Sequence, residues 1–184
     1  KRIKPPMTLG HEMAGTVVAT GSNVDQALLG EFVSCESHIT CGSCFQCQSG
    51  KPHMCPQTSI IGVDRDGCFA EYVAIPEKVL WHTDQSKLPP DIAALQEPFG
   101  GAVRSSLAHD PAGQSIAVLG CGPIGLFSIA IAKASGASRI VAADINNYRL
   151  SLALQVGADE VFQPSKLTGT ETASWLSKIG DHGV

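Results

Sequence analysis

Residues 115–150, SIAVLGCGPIGLFSIAIAKASGASRIVAADINNYRL, decide the fold because they follow the order strand, glycine-rich turn, helix, strand. The apolar run Ile116–Leu119 predicts the first strand, and the run Arg139–Ala143 predicts the second. The helix between them is expected to begin at Pro123, since proline is favoured in the first turn of a helix. A strand, a crossover helix and a second strand in this order predict a parallel α/β sheet.

The predicted elements continue beyond this stretch. Glu160–Phe162 predicts a third strand, and residues 171–179, ETASWLSKI, predict a further helix. Together these elements form one βαβαβ half of a doubly wound sheet of the Rossmann type. We therefore expect residues 110–184 to form the first half of such a domain, which the chain enters at Pro111 and Gly113.

The turn after the first strand carries a G-x-G-x-x-G pattern that is typical of dinucleotide binding. In this pattern the first glycine makes the turn, the second lets the backbone approach a pyrophosphate, and the third packs the helix on the strand. The free N–H groups at the start of the helix favour the same anion. The expected cofactor-binding residues are Gly120, Gly122, Pro123, Ile124, Gly125, Asp144 and Arg149.

Asp144 ends the second predicted strand, nineteen residues after Gly125. An acid at this position can accept hydrogen bonds from the adenosine ribose hydroxyls, and it would repel a 2′-phosphate. NAD is therefore favoured over NADP. A role for Asp144 as the cap of the following helix is a compatible alternative.

Residues 41–55, CGSCFQCQSGKPHMC, place Cys41, Cys44, Cys47 and Cys55 close together. Two-residue spacers let successive thiolates converge on one ion, and tetrahedral zinc takes four sulfurs at about 2.3 Å. Because all four positions would be filled by sulfur, such a zinc would be structural. A redox-active pair, disulfides and an iron–sulfur cluster remain alternatives, since each uses cysteines at similar spacings.

The chain has seven cysteines, an odd number, and no secretory signal at its first residues. This usage indicates a reducing compartment, for which we expect the cytoplasm. Cys35, Cys68 and Cys121 lie outside the four-cysteine pattern and are expected to be small, buried apolar residues.

The composition narrows the possible partners. The 184 residues include 43% hydrophobic and 16% charged residues, with a net charge of −4. This balance and the absence of a basic run argue against nucleic acid and against an anionic membrane as partners. No apolar segment reaches the roughly 18–20 residues that a membrane-spanning helix needs.

Residues 10–24, GHEMAGTVVATGSNV, place His11 and Glu12 between glycines ahead of a β-rich stretch. Histidine is a common zinc ligand, and an adjacent carboxylate can support or replace one. With the four cysteines and the glycine-rich turn in this order, the sequence resembles the zinc-dependent medium-chain dehydrogenases (alcohol, sorbitol and threonine dehydrogenases). The resemblance covers essentially the whole chain. The segments ESHITCGSCFQC, GCFAEYVAIP, EPFGGAVRSSL and DINNYRL are most similar to threonine-type members, and polyol dehydrogenases come next.

The resemblance implies a fold and a set of sites. Residues 1–109 would belong to a GroES-like β-barrel catalytic domain with a structural zinc lobe at about residues 41–55. His11, Glu12 and Glu97 would hold a catalytic zinc, and His38 would border the substrate. The implied reaction is hydride transfer from a secondary alcohol to NAD. The implied substrate is a threonine-type 3-hydroxy amino acid or a polyol, and relatives associate as dimers or tetramers.

The resemblance also leaves parts of the family pattern without a counterpart. The family's first catalytic ligand is a cysteine well before Gly-His-Glu, followed by a hydroxyl residue that relays the proton, and neither occurs in this sequence. The second half of the nucleotide domain is also missing. We therefore expect a chain truncated at both ends, with an incomplete barrel whose unpaired strand edges favour aggregation.

Two alternative functions stay open. The chain could bind structural zinc and part of NAD without catalysing a reaction. It could also serve a zinc-independent, quinone-reductase-like enzyme that uses NADP, although Gly-His-Glu and the four cysteines argue against that function.

Overall fold

The structure, a computed structural model, describes residues 3–164 and 168–177. The chain divides into two compact units, Lys1–Glu97 and Pro98–Val184. The boundary expected from the sequence, at residues 109 and 110, lies farther along the chain. It remains a prediction about the domains, because compactness alone does not define a folding unit.

The first unit contains two small antiparallel sheets. Its strands β1 to β5 are Ala14–Thr16, Phe32–Cys35, His38–Ile39, Ser59–Ile60 and Leu80–His82. The larger sheet has the order β1-β2-β5, and β3 pairs with β4 in the smaller one. Ala14 pairs with Ser34, and Val33 pairs with His82. Because β2 is the central strand, its residues Val33, Ser34 and Cys35 are all buried.

Short helices connect and follow these strands. The helices α1 to α3 are Phe45–Gln48, Pro90–Ala93 and Gln96–Ser106, and the division between the two units falls inside α3. Single 3-10 turns lie at Gln26–Leu28, Pro52–Met54 and Glu77–Val79. The first of these turns begins where the Asp25 carboxylate accepts the backbone N–H of Ala27, as an N-cap residue does.

The sheets of the first unit are open rather than closed into a barrel. Within the described residues, β1 and β5 each pair with β2 and with no other strand. A cavity of about 770 Å³ lies within this unit, lined mainly by residues 13–21 and 70–75. The expectation of an incomplete barrel therefore agrees with the strand pairing, and the expected aggregation through free strand edges remains a prediction.

The second unit is a parallel sheet with helices between its strands. Its elements, in chain order, are β6 (Ser115–Leu119), α4 (Pro123–Ala134), β7 (Arg139–Ala143), α5 (Asn147–Val156), β8 (Glu160–Phe162) and α6 (Gly169–Leu176). The sheet order is β6-β7-β8, and both pairs are parallel. The three predicted strands and the helix start at Pro123 are confirmed. Helix α6 begins two residues before the predicted one, whose last two residues lie outside the described part of the chain.

The core of the second unit uses small side chains between helix and sheet. Its buried members are Cys121, Ile129, Ala132, Ile140, Ala142, Leu150, Ala153 and Ala158. Alanines on both the helices and the strand leave room for the backbones to approach closely. Cys121 and Cys35 are fully buried, as the sequence predicted, and Cys68 is half-buried. In the described part of the chain, no helix has the length and apolar character needed to cross a bilayer.

Candidate metal and cofactor sites

The sulfurs of Cys41, Cys44, Cys47 and Cys55 come together at one point. Cys41 Sγ lies 3.9 Å from Cys47 Sγ and 3.6 Å from Cys55 Sγ. Cys44 Sγ lies 3.9 Å from Cys55 Sγ, and all four atoms are within 4.8 Å of one another. Four sulfurs around a tetrahedral zinc at about 2.3 Å would be roughly 3.8 Å apart. The cluster therefore fits one zinc ion.

The same distances exclude disulfides in this arrangement. A disulfide requires an S–S distance of about 2.05 Å, and all seven cysteines are free. An iron–sulfur cluster fits less well, because its cysteines bind different iron atoms and their sulfurs stand farther apart.

Two glycines shape the backbone of this lobe. Gly42 and Gly50 each have a φ of 76°, a left-handed conformation that glycine adopts without strain. The turn at Gly42 lets the backbone N–H of Cys44 donate to Cys41 Sγ at 3.3 Å. Helix α1 begins directly after Cys44 and carries Cys47 towards the other sulfurs.

The thiols of the cluster differ in acidity. Hydrogen bonds from the backbone at Ser43 and Cys44 lower the pKa of Cys41 to about 6. Desolvation and the neighbouring thiols raise the pKa of Cys47 to about 11. Because metal ligation requires thiolates, a bound cation must supply the charge that lets all four sulfurs ionise together.

A second group of metal-ligating side chains lies in the same unit. Ligand atoms of His11, Glu12 and Glu97 are within 4.8 Å of one another. His11 and Glu12 come from the loop before β1, and Glu97 comes from the first turn of α3. Three protein ligands with room for a fourth are typical of catalytic zinc sites. The structure thus brings the three predicted side chains together, and their role as ligands remains a prediction.

The loop of residues 62–69 holds the backbone before His11. Three N–H groups of this loop, on Gly67, Cys68 and Phe69, donate to the carbonyls of Thr8, Gly10 and Leu9 at 2.8, 3.0 and 2.9 Å. In the opposite direction, the N–H of Thr8 donates to Asp66 Oδ1 at 2.9 Å. These bonds fix the path of the chain directly before the candidate zinc ligand.

Glycines make this close backbone approach possible. A Cβ atom on Gly62 would lie 2.7 Å from Gly10 N, and one on Gly67 would lie 2.6 Å from Leu9 O. Both distances are shorter than a van der Waals contact allows, and the atoms are backbone atoms that cannot turn away. Gly62 also has a φ of 75°, which other residues rarely adopt.

Glu97 also contacts the segment that follows β2. Ser37 is fully buried, and its Oγ donates to Glu97 Oε1 at 2.5 Å. His38 Nδ1 lies 3.0 Å from Ser37 Oγ and 2.8 Å from Glu36 Oε1. His38, which the resemblance placed near the substrate, therefore lies in one hydrogen-bonded network with Glu97. The sequence indicated neither Glu36 nor Ser37; a polar Glu-Ser-His run directly after a buried strand is the signal that could have pointed to them.

Two further thiols lie close to this network without joining it. Burial raises the pKa of Cys35 to about 12, and nearby Cys68, Glu36 and Glu97 add to the effect. Burial also raises the pKa of Cys68, whose Sγ donates to the Glu12 carbonyl at 3.4 Å. Both thiols stay protonated at neutral pH, which agrees with the expected role as small packed residues.

In the second unit, the glycine-rich turn has the geometry that the pattern predicts. Gly120 has a φ of 100°, and a Cβ on Gly125 would lie 3.0 Å from the carbonyl carbon of Gly120. Gly122 faces open space, with nothing within 4 Å of an added Cβ, and no side chain caps the start of α4 there. Helix α4 therefore presents its N-terminal N–H groups to a space that an anionic group could fill.

Asp144 is buried, and both of its carboxylate oxygens accept backbone N–H groups. Oδ2 accepts from Cys121 at 2.8 Å and Oδ1 accepts from Asn146 at 2.8 Å. Arg149 Nη1 lies 3.8 Å from Oδ2. Burial opposes ionisation of Asp144, but the hydrogen bonds from Cys121 and Asn146 and the charge of Arg149 lower its pKa overall.

The alternative role of Asp144 as a helix cap is wrong. The side chain of Asn146 caps α5 and accepts the N–H groups of Tyr148 and Arg149. Asn146 has the same capping capacity as aspartate and lies directly before the first helical residue. Asp144 instead ties the end of β7 to the glycine-rich turn after β6.

A cavity of about 430 Å³ opens at the carboxyl ends of the three parallel strands. It is lined by Leu119, Gly120, Ala143, Asp144, Ile145, Arg149, Phe162 and Pro164. Ligands of open α/β sheets bind at this edge of the sheet. The structure therefore places three of the predicted cofactor residues, Gly120, Asp144 and Arg149, at one cavity.

The carboxylate of Asp144 should make the stability of the second unit depend on pH. Its pKa is lower in the folded chain, so the stability it contributes is present above the unfolded value of about 3.9 and is lost as pH falls through the folded value. Asp144→Asn should lower the free energy of unfolding by about 2 kcal/mol at pH 7 and should flatten the loss of stability in acid. Urea unfolding between pH 7 and pH 3 measures both effects.

Asp110→Asn serves as the control, because Asp110 is exposed and accepts one backbone N–H in a turn of the same unit. It should change the free energy of unfolding by no more than about 0.5 kcal/mol. An Asp144→Asn protein with wild-type stability at pH 7 would show that the carboxylate does not hold the turn.

Two family models match this chain. Residues 1–85 match the alcohol dehydrogenase GroES-like domain, and residues 123–184 match the zinc-binding dehydrogenase domain. L-threonine 3-dehydrogenase of Bacillus licheniformis is 47% identical over 190 residues, covering 98% of this chain and 55% of that protein. L-threonine 3-dehydrogenase of Pyrococcus furiosus is 47% identical over 163 residues, covering 89% of this chain and 47% of that protein. The chain spans about half the length of the curated relatives it matches.

Solved structures with the same fold come from related enzymes. Galactitol-1-phosphate dehydrogenase from Escherichia coli superimposes with a TM-score of 0.88 at 32% identity, covering 97% of this chain and 52% of that one. A zinc-binding dehydrogenase from Sinorhizobium meliloti 1021, bound to NADP, gives 0.85 at 35% identity, covering 93% and 50%. L-idonate 5-dehydrogenase from Escherichia coli gives 0.82 at 26% identity, covering 96% and 51%.

A GroES-like unit with a four-cysteine cluster, followed by a glycine-rich turn in a parallel sheet, defines a class of two-domain, zinc-binding oxidoreductases. Within that class, the chain belongs to the zinc-dependent medium-chain alcohol dehydrogenase family. The resemblance stated from the sequence is confirmed, and so are the GroES-like and Rossmann-type fold classes.

Proposed function

We propose that this protein oxidises a secondary alcohol to a ketone by hydride transfer to NAD, with a threonine-type 3-hydroxy amino acid as its substrate. The convergence of His11, Glu12 and Glu97 on one point is the observation that carries the proposal. The relatives named L-threonine 3-dehydrogenase support the amino-acid substrate. A polyol is the second candidate, favoured by the structural similarity to galactitol-1-phosphate and L-idonate dehydrogenases.

Two zinc sites follow from the two groups of ligands. Cys41, Cys44, Cys47 and Cys55 would hold a structural zinc, because four sulfurs leave no position for a substrate. His11 and Glu97 would hold the catalytic zinc, and Glu12 offers a further carboxylate beside it. When bound, that zinc would supply Lewis-acid activation of the substrate hydroxyl, and the nicotinamide would supply the hydride acceptor.

The cofactor would bind at the carboxyl edge of the parallel sheet. Gly120, Gly122 and Gly125 form the turn, and the start of α4 at Pro123 and Ile124 would face the pyrophosphate. The buried carboxylate of Asp144 keeps a negative charge in the cavity, which favours NAD over NADP. Because both of its oxygens already accept backbone N–H groups, a ribose hydroxyl would have to share one of them.

A steady-state assay tests the proposed reaction. The full-length protein should form NADH with L-threonine faster than with sorbitol or galactitol, and faster with NAD than with NADP. His11→Ala should lower kcat/KM by at least about 100-fold, since metal activation supplies several kcal/mol. His109→Ala is the control, because His109 is an exposed histidine outside both candidate metal groups.

Absence of turnover with every alcohol, in a protein that keeps its structural zinc, would favour the alternative that the chain binds zinc and part of NAD without catalysing a reaction.

The dimeric or tetrameric state remains an expectation from the family, and the cytoplasmic location remains an expectation from cysteine usage.

A further inference from the structure

Two oxygen atoms approach the same nitrogen of His38. Nδ1 lies 2.8 Å from Glu36 Oε1 and 3.0 Å from Ser37 Oγ. Glu36 Oε1 also accepts the backbone N–H of His38 at 2.9 Å. One carboxylate oxygen therefore binds both the backbone and the ring of the same residue.

Counting protons shows which nitrogen of the ring carries hydrogen. The hydroxyl of Ser37 has a single proton, and that proton is donated to Glu97 Oε1 at 2.5 Å. An ionised Glu36 can only accept. If Nδ1 lacked a proton, neither neighbour could donate to it, and two electron-rich oxygens would face its lone pair. The contacts are consistent only if Nδ1 carries the proton, and the carboxylate of Glu36 at 2.8 Å is the nearer and stronger acceptor of its two neighbours.

We infer that Glu36 is a positioning residue that keeps the proton of neutral His38 on Nδ1 and leaves the lone pair on Nε2. Among the described residues, no hydrogen bond to Nε2 is found. An unprotonated Nε2 is the form of histidine that accepts a hydrogen bond from a hydroxyl or amino group of a substrate.

A third group of potential metal ligands includes the same residues. Glu36, His38 and Glu97 also bring ligand atoms within 4.8 Å of one another. Because Nδ1 and Glu36 bind each other, we assign this group to a hydrogen-bonded network rather than to a second cation. The fully buried Ser37 and the pairing of His38 with Ile60 hold this network in place.

The expected effect of Glu36 on turnover rests on the proposed function, whereas the tautomer of His38 can be measured without it. Histidine-selective ¹⁵N NMR of the zinc-loaded chain at about pH 8.5, two units above the ordinary histidine pKa of about 6.5, reports the tautomer directly. The chain contains six histidines. The ring ¹⁵N signals that disappear in His38→Gln are those of His38. Wild type should show Nδ1 protonated and Nε2 unprotonated.

Glu36→Ala should move the proton of His38 towards Nε2, whereas Glu36→Gln should keep it on Nδ1, since an amide oxygen also accepts. A urea unfolding transition like that of wild type shows that each variant is folded. Wild-type His38 protonated on Nε2, or an unchanged tautomer in Glu36→Ala, would overturn the inference. If Glu36→Ala does not fold, Glu36→Lys replaces it, because an ammonium group cannot accept a hydrogen bond and should likewise lose the Nδ1 tautomer.

In the turnover assay, Glu36→Ala should lower kcat/KM by about 10–100-fold, the usual effect of removing a partner behind a site residue. Glu36→Gln should stay within about threefold of wild type on the same grounds. If Glu36→Ala changes the tautomer of His38 but not turnover, the inference about Glu36 stands, and the proposed contact of His38 with the substrate is wrong. The NMR result and the turnover result therefore test the two claims separately.

Discussion

Replacing Gly67 with alanine is expected to displace His11 and to lower turnover by at least about 100-fold, while the four-cysteine site keeps its metal. A Cβ on Gly67 would lie 2.6 Å from both Leu9 O and Gly62 Cα, and it would also meet Gly10 O. The loop of residues 62–69 must then move away from the backbone that precedes His11. Overpacking and the loss of backbone hydrogen bonds should together lower the free energy of unfolding by about 3 kcal/mol.

Urea unfolding and the exchange of the amide hydrogens on Gly67, Cys68 and Phe69 measure the loss of this contact. Gly21→Ala is the matched control, because it lies in the same unit and an added Cβ would only touch Val24 Cγ2 at 3.9 Å. That control should change stability by no more than about 0.5 kcal/mol. A Gly67→Ala protein with wild-type exchange and turnover would show that the loop does not position His11.

The second large effect is expected from Cys47→Ser. Removing one of four thiolates should release the structural zinc, whose binding contributes on the order of 10 kcal/mol to folding in comparable sites. The lobe has few apolar contacts of its own: within residues 41–55 only Cys55 is buried, and Phe45 is 79% exposed. Without zinc, the lobe should therefore unfold locally.

Amide hydrogen exchange in residues 44–55 tests this expectation. The amides of Gln48, Lys51 and Cys55, which donate to backbone carbonyls within the lobe, should lose protection in Cys47→Ser. Cys68→Ser is the control, since a hydroxyl can still donate to the Glu12 carbonyl and Cys68 lies outside the cluster. Retained protection in Cys47→Ser would mean that the lobe holds its shape without the metal.

The parts of the fold that depend on local pattern could be predicted from the sequence. The strands of the second unit, the start of α4 at Pro123 and the convergence of the four cysteines all follow from periodicity or spacing within short segments. The cap of α5 was harder to predict, because Asp144 and Asn146 are both good capping residues and lie two positions apart. Only the backbone path after β7 decides between them.

The contacts around the candidate zinc ligands His11, Glu12 and Glu97 join residues that are far apart in the sequence. Ser37 and Glu97 are sixty residues apart, and Thr8 and Asp66 are fifty-eight apart. No local pattern links such pairs, since their meeting depends on the three-dimensional path of the chain within the first unit. The side chains of His11, Glu12 and Glu97 were indicated by family resemblance, whereas the residues that hold them became visible only in the structure.

Elemental analysis of the dialysed chain tests most directly whether the four-cysteine cluster holds zinc. At least one tightly held zinc per chain is expected, and about two would mean that His11 and Glu97 also retain an ion. A chain that is folded and holds no zinc would contradict the assignment of Cys41, Cys44, Cys47 and Cys55 as a metal site.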